Sequence, residues 1–379
     1  MNFLLMVTMS NYTVETYGVS ISTAGLAASI FVLGSLLGRL LLNSWVARFG
    51  MRRVLLVALI GSALASTGYF IEGSIAWLML TRIVHGFTIG IISTATGVIC
   101  VQITPDTRQA EGISYYSLSA VLGTAVGPML AMFLLTLHNS FYWMFAANMA
   151  VGLVCIVLLH MLQLSKAPVK QKKIADFRLS NYIDKQAIPI SCLALLIGFG
   201  FSSVTSYLTL YGKDIGLLSV MAYFFIVHAT CVLCSRPFTG KLMDKKGANI
   251  VVYPCLLLFA FGMLMYSQAA ASWMIIVAAM CMGLGFGNFN SAAQMIAVKS
   301  AQPQRLGLAT ATYFIFLDLG FGLGPYVLGY IIEHVGFHTL YSIISALAII
   351  AMPVYYIIYG QREKAGRVLT LRAVEDKNS

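Results

Sequence analysis

Apolar runs of about 20 residues follow one another along nearly the whole chain, each continuous rather than alternating. Such a run is stable as a helix crossing about 30 Å of hydrocarbon, where no water can satisfy an open backbone. The absence of alternation argues against barrel strands, whose lipid and lumen faces differ residue by residue. Eleven full spans are legible, at 22–43, 54–72, 76–100, 111–137, 139–162, 187–210, 217–240, 249–268, 272–298, 306–332 and 337–360, and an incomplete one at 1–13. Composition agrees, with 59% of the 379 residues apolar and 10% charged, too little charge to coat a water-soluble protein of this size. Span 1 is the exception, because about 12 helical residues cover only roughly 18 Å. Met1 therefore reads as an internal methionine of a longer chain; a truncated chain or a real half-span are the alternatives.

The net charge of +11 would suit a nucleic-acid partner, but its distribution points elsewhere. Of 24 Lys and Arg residues, 20 fall in alternate connections or the tail, whereas the opposite connections hold only Lys213. The excess marks the cytoplasmic side. It predicts a multi-pass protein of the bacterial plasma (inner) membrane, with both termini and the central linker cytoplasmic and no nucleic-acid partner.

The chain is also two copies of one unit. Arg39, Asn43, Arg48 and Gly50 recur 197 residues later as Arg236, Gly240, Lys245 and Gly247. At the same offset Gly123, Gly127 and Pro128 recur as Gly320, Gly324 and Pro325. Duplication in an apolar chain points to a carrier with its site between the halves. The expected organisation is an N-terminal six-helix bundle at 1–162, a polar cytoplasmic linker at 163–186, a C-terminal six-helix bundle at 187–360 and a cytoplasmic tail at 361–379.

Enzyme and ATPase signatures are absent from the sequence: there is no HExxH, no nucleophile elbow and no GxxxxGK[ST] loop. Cys231 and Cys234 lie inside a span and read as packing, so no metal and no cofactor are expected. The first residues lack the basic region of a cleavable signal.

The connection from Asn43 to Arg53 (NSWVARFGMRR) resembles the G-x-L-x-D-R-x-G-R-R loop of the major facilitator superfamily, and Gly240 to Gly247 (GKLMDKKG) its second copy. Arg82-x-x-His85-Gly86 with Gly90 resembles the span 4 pattern of proton-coupled members. Gly123-x-x-x-Gly127-Pro128 resembles the span 5 signature of the twelve-span drug:proton antiporters, with Ser114 and Ala131 where that family prefers glycine. The resemblance implies an all-α membrane protein with the major facilitator fold, two pseudo-symmetric six-helix bundles. It also implies gating or structural roles for Arg48, Gly50, Gly123, Gly127, Pro128, Gly240, Asp244, Gly247, Gly320, Gly324 and Pro325. The first loop departs from the family, with Asn43 and Ala47 where it has Gly and Asp, so the resemblance does not carry its acidic latch over to this half. Asp106 and Glu111, beside Arg108 (a gating or structural candidate), are candidate substitute charges.

Candidate proton-coupling residues are Asp318, Arg82 and Glu15. A charge inside a span costs on the order of 2.5–3.5 kcal/mol, so Arg82 faces a cavity or a partner, or else snorkels to the outer end of span 4. Asp318 is the carboxylate deepest inside a span; desolvation raises its proton affinity and a cation lowers it. The alternative is a neutral Asp bonded to backbone. Glu15 sits at the rim of span 1. Candidate substrate-binding residues are Asn11, Tyr12 and Tyr207, His85 and His228 (packing groups or a proton relay), and the span 10 cluster Asn288, Asn290 and Gln294, which could equally hold helices together.

These residues predict a secondary transporter that couples protons to efflux of small amphipathic compounds by alternating access. Its partners would be the bilayer, protons and a small-molecule substrate. The proton gradient would supply the energy and a monomer would suffice. A carrier of a defined metabolite, such as a sugar, an organic ion or a metal-chelating compound, is the alternative.

Overall fold

The computed structural model describes residues 2–104, 109–138, 141–161, 183–301, 305–361 and 363. Asp106, Arg108 and nearly all of the 163–186 linker lie outside them. Among the described residues the fold is helical throughout. The order is α1 (Asn2–Tyr17), α2 (Ile21–Phe49), α3 (Met51–Thr67), α4 (Ile75–Ile103), α5 (Gln109–His138) and α6 (Phe141–Met161). Then come α7 (Ile188–Asp214), α8 (Leu218–Lys246), α9 (Asn249–Ser267), α10 (Ser272–Met282), α11 (Asn288–Ser300) and α12 (Leu306–Tyr355). A π-helical turn, Gly283–Gly287, joins α10 to α11 in one continuous span. The last apolar run, Leu308–Gly360, has 53 residues, about 80 Å of helix, and breaks at Gly336 (φ +78°), so it makes two crossings.

The helices look outward with apolar side chains at helical spacing. Leu257, Phe261 and Leu264 are exposed on α9, and Val57 and Leu64 on α3. In water such stripes would drive aggregation; in lipid they are the matched surface.

The 197-residue repeat is visible in the backbone. Shifting Ile21–Phe49 by that offset lands on Leu218–Lys246, and shifting Ile75–Ile103 lands on Ser272–Ser300, the limits of α8 and of the α10–α11 span. Gly50 and Gly247 close α2 and α8 in the same way, at φ +82° and +83°. Their N–H groups donate to Val46 and Met243 carbonyls, both at 2.9 Å. A side chain with a Cβ is strained in that conformation, which is why glycine recurs there.

Contacts gather the chain into two compact units. One holds Met1–Ala175, Ser202–Ile226 and Phe321–His334; the other holds Asp176–Phe201, Val227–Gly320 and Val335–Ser379. In the first, Leu5, Met9, Tyr12, Ala27, Tyr69 and Phe145 form a core near one pole. Leu42, Leu55, Leu59, Ile91 and Leu159 form another towards the pole of the basic connections.

Glycine sets the spacing of the helices inside each unit. A Cβ on Gly86 of α4 would collide with the Phe31 carbonyl of α2, and one on Gly90 with the Ser35 carbonyl. Gly34 and Gly38 of α2 meet α4 in return at the Ile83 and Phe87 carbonyls. The second unit repeats this joint at the same offset. A Cβ on Gly283 would lie 2.5 Å from the His228 carbonyl of α8, and one on Gly287 would meet Val232. The span 5 and span 11 glycines also make close contacts, but at positions that do not correspond at the 197-residue offset. A Cβ on Gly127 would come within 3.0 Å of the Leu4 nitrogen of α1, and one on Gly320 within 2.5 Å of the Leu195 carbonyl of α7.

Gly86→Ala and Gly283→Ala should therefore each destabilise the protein by about 1–3 kcal/mol, because backbone must move to admit the methyl group. Gly240→Ala, in a helix with open space around it, should be neutral or stabilising. Unfolding midpoints of the three purified variants in detergent check the contrast.

Candidate functional site

Arg82 is fully buried, so it does not snorkel to the end of α4. Spacings of three and four residues put Arg82, His85 and Gly86 on one face, and the glycine joint presses that face against α2. Arg82 Nε–H donates to the Ala27 carbonyl at 3.1 Å, and Nη2 donates to the Ala28 carbonyl. Each carbonyl has a second lone pair beyond its helical bond, so α2 keeps its own ladder. The guanidinium also lies over the Phe31 ring, 5.1 Å from its centroid. Two charge-assisted bonds at about 1.5–3 kcal/mol each, with a desolvated cation–π contact, offset the cost of a charge in a span. Nη1 makes no hydrogen bond of good geometry among the described residues, with the Tyr69 hydroxyl lying beside the guanidinium. His85 Nδ1 shares a hydrogen bond of 2.9 Å with the Tyr69 hydroxyl, while its Nε2 has no partner there. Asn11 on α1 is 1% exposed, and both atoms of its amide lack partners among the described residues.

At the pole that carries the α1–α2 connection, polar contacts within the first unit converge on the start of α2. The Tyr207 hydroxyl of α7 donates to the Ile21 carbonyl at 3.3 Å and to the Pro325 carbonyl of α12. It can reach both because Gly25 and Gly329 leave room for the phenol. Ser22 N–H, in the first turn of α2, donates to Glu333 Oε1 at 2.6 Å, and Ser22 Oγ donates to the Tyr326 carbonyl at 3.2 Å. A carboxylate there also meets the positive end of the helix dipole. Glu15 forms an ion pair with Lys213 at the same pole. Both are exposed enough for the pair to contribute little stability. Thr209 Oγ1 donates to the Val7 carbonyl at 3.2 Å, joining α7 to α1.

In the second unit the π-helical turn sets out the span 10 residues. It places Phe286 in a stack with Phe201, centroids 4.1 Å apart, and Phe201 in turn stacks on His228 at 5.3 Å. The Asn288 amide donates to the Leu284 carbonyl at 2.9 Å and to Ser235 Oγ at 2.8 Å, and its oxygen accepts from Thr239 at 3.2 Å. Tyr313 donates to the Asn290 side chain and, at 2.9 Å, to its carbonyl. Asn288 and Asn290 thus bind neighbouring helices in this conformation, while Gln294 is half-buried on α11. Asp318 is half-buried on α12, with Leu317 buried beside it. At the basic pole Asp184 pairs with Arg305 at 3.3 Å, and its N–H donates to Thr312 Oγ1 at 2.8 Å.

The profile of the Major Facilitator Superfamily matches residues 1–253 and 227–374. The chain belongs to the major facilitator superfamily. An uncharacterized MFS-type transporter, YhhS, of Escherichia coli O157:H7 is 22% identical over 357 residues, covering 91% of this chain and 85% of the relative. Its counterpart in Salmonella typhimurium is 22% identical over 353 residues, with the same coverage. Among solved structures, the nucleoside transporter NupG superposes with a TM-score of 0.72 at 14% identity, covering 94% of this chain and 97% of that one. A POT family transporter in complex with 5-aminolevulinic acid gives 0.78 at 15% identity, covering 95% and 93%. The protein is thus an integral multi-pass membrane transporter with the major facilitator fold, rather than an enzyme.

The superfamily's loop and glycine motifs were legible in sequence, but several working contacts were not. Glu333 reads in sequence as a solvated connection residue; it is exposed, and it also accepts from the α2 amino end, which sequence did not show. Gly34-x-x-x-Gly38 and the recurrence of Gly86 and Gly90 as Gly283 and Gly287 were available as spacings. Asp184–Arg305 had no local signal.

Tyr207→Phe and Glu333→Ala should each cost about 1 kcal/mol, the net value of a hydrogen bond. Because both act on one turn of α2, their effects should be non-additive by at least about 0.5 kcal/mol. A double-mutant cycle on unfolding midpoints reads this; simple additivity would mean the two contacts are independent.

Proposed function

We propose that this transporter exports small amphipathic compounds in exchange for protons, by alternating access. The observation that carries the reading is Arg82, a fully buried guanidinium fixed on the α2 backbone with no hydrogen bond of good geometry from Nη1. A buried donor without an acceptor is costly, and in a carrier it is accounted for as a group whose acceptor comes and goes. A carboxylate, or the carbonyl of a substrate, supplies that acceptor. Asp318, half-buried in span 11 of the second unit, is the candidate coupling acid, taking up and releasing the proton. Asn11 adds a second buried group with open hydrogen-bonding capacity. The same reading sets the protein in the bacterial inner membrane as a monomer, both termini in the cytoplasm, with the pole of Tyr207 and Glu333 facing outward. The gradient drives the cycle without a further cofactor.

A carrier of one polar metabolite is the second reading. It is favoured by the neutral polar side chains of span 10 and by the structural neighbours, a nucleoside transporter and a POT family transporter in complex with 5-aminolevulinic acid.

In liposomes with an imposed pH gradient, Asp318→Asn should abolish gradient-driven accumulation while leaving substrate exchange without a gradient in place. Wild-type rates in the driven assay would remove Asp318 from the coupling. Arg82→Lys, which keeps the charge but cannot fork onto two carbonyls, should lower transport at least about tenfold with little loss of folded protein.

A further inference from the structure

A second recess lies in the first unit, away from span 10, and the Tyr69 ring in its floor reaches Arg82 and His85 on its far side. It opens at the pole of the α1–α2 connection, has a volume of about 240 Å³, and is lined by six aromatic rings with Thr16 and Glu72. Three parts of the first unit supply it: Tyr12 from the end of α1, Tyr69, Phe70 and Glu72 from the turn after α3, and Tyr142 and Phe145 from the start of α6. The rings fix one another. Tyr12 meets Phe145 edge-on at 5.1 Å, Tyr69 stacks on Phe145 at 5.2 Å, and Phe70 meets Tyr142 edge-on at 5.0 Å. Tyr12, Tyr69 and Phe145 are buried, whereas Tyr142 is 59% exposed, so the recess has a firm floor and an open rim. Its walls therefore exist before any ligand arrives.

The electrostatics select the ligand. In the first half, the connections at this pole contain Glu72 and no Lys or Arg. Glu15 is neutralised by Lys213, but no cation among the described residues pairs with Glu72. Aromatic faces are electron-rich and attract cations, most strongly organic ones that shed water readily. An anion would meet the Glu72 carboxylate and π faces at the open rim, while the Arg82 guanidinium lies behind Tyr69 and is committed to the α2 carbonyls. The volume is below the range of roughly 300–1,000 Å³ usual for drug-sized ligands, so the occupant is small. We propose that the recess bounded by Tyr12, Tyr69, Phe70, Tyr142, Phe145 and Glu72 binds a small quaternary or alkyl ammonium ion. The recess shares Tyr12 with the candidate substrate-binding residues but contains neither Asp318 nor any span 10 residue, and its existence does not depend on proton coupling.

The test uses choline and its neutral isostere 3,3-dimethylbutan-1-ol, titrated calorimetrically into the full chain in detergent. Choline should bind at least about tenfold more tightly, since shape and apolar area are matched and only the charge differs. Glu72→Gln and Tyr142→Leu should each weaken choline about 5- to 10-fold with unchanged melting of the unliganded protein, because both side chains are exposed. Asp318→Asn should leave choline affinity as it is. Equal affinity for the two probes, or unchanged choline affinity in Glu72→Gln, would overturn the proposal. So would loss of choline binding in Asp318→Asn alone, which would move the ligand to the transport residues.

Discussion

The rest of the structure depends on the contact of glycine with a facing carbonyl, between α2 and α4 in the first unit and between α8 and the α10–α11 span in the second. In a bilayer, apolar side chains gain nothing by leaving lipid for one another, so helices associate through close packing and polar bonds. Gly86 on Phe31 and Gly283 on His228 bring backbones within van der Waals reach. That approach also makes Arg82 tolerable. A guanidinium held farther from α2 would not reach the Ala27 and Ala28 carbonyls, and its charge would be left in hydrocarbon.

The two copies of the joint have diverged where chemistry is concerned. The position of Arg82 is occupied in the second copy by Ala279, and Phe31, which carries the cation–π contact, is matched by His228. The second copy also accommodates a π-helical turn, a distortion that commonly accompanies function. Its irregular ladder is compensated locally: Asn288 returns a donor to the Leu284 carbonyl. One copy thus carries a fixed charge on a regular helix, and the other an aromatic stack on an irregular one.

Much of this was legible before any coordinates. Span limits followed from hydropathy to within a few residues, because lipid imposes one length and one backbone solution. The duplication followed from a single offset, and it reappears as matching helix ends and matching positive-φ glycines. The site was less legible, since side-chain partners depend on helix rotation. Asn288 and Asn290 stand out in sequence as polar residues in a span, but only the packing shows their amides held by Ser235 and Tyr313. Tyr207 was picked out as a polar aromatic; its partners, 186 and 118 residues away in the chain, could not be.

The sequence by itself determined that this chain lives in a membrane, crosses it repeatedly as helices and is built twice over, because these follow from composition and periodicity alone. Tertiary structure decided which buried polar groups are satisfied and which are left open. Glu333 on the amino end of α2, Asp184 on Arg305 and the open donor of Arg82 are facts of distance. In a low-dielectric interior a hydrogen bond is made or lost within an ångström, and the order of residues along a chain does not specify ångströms between helices.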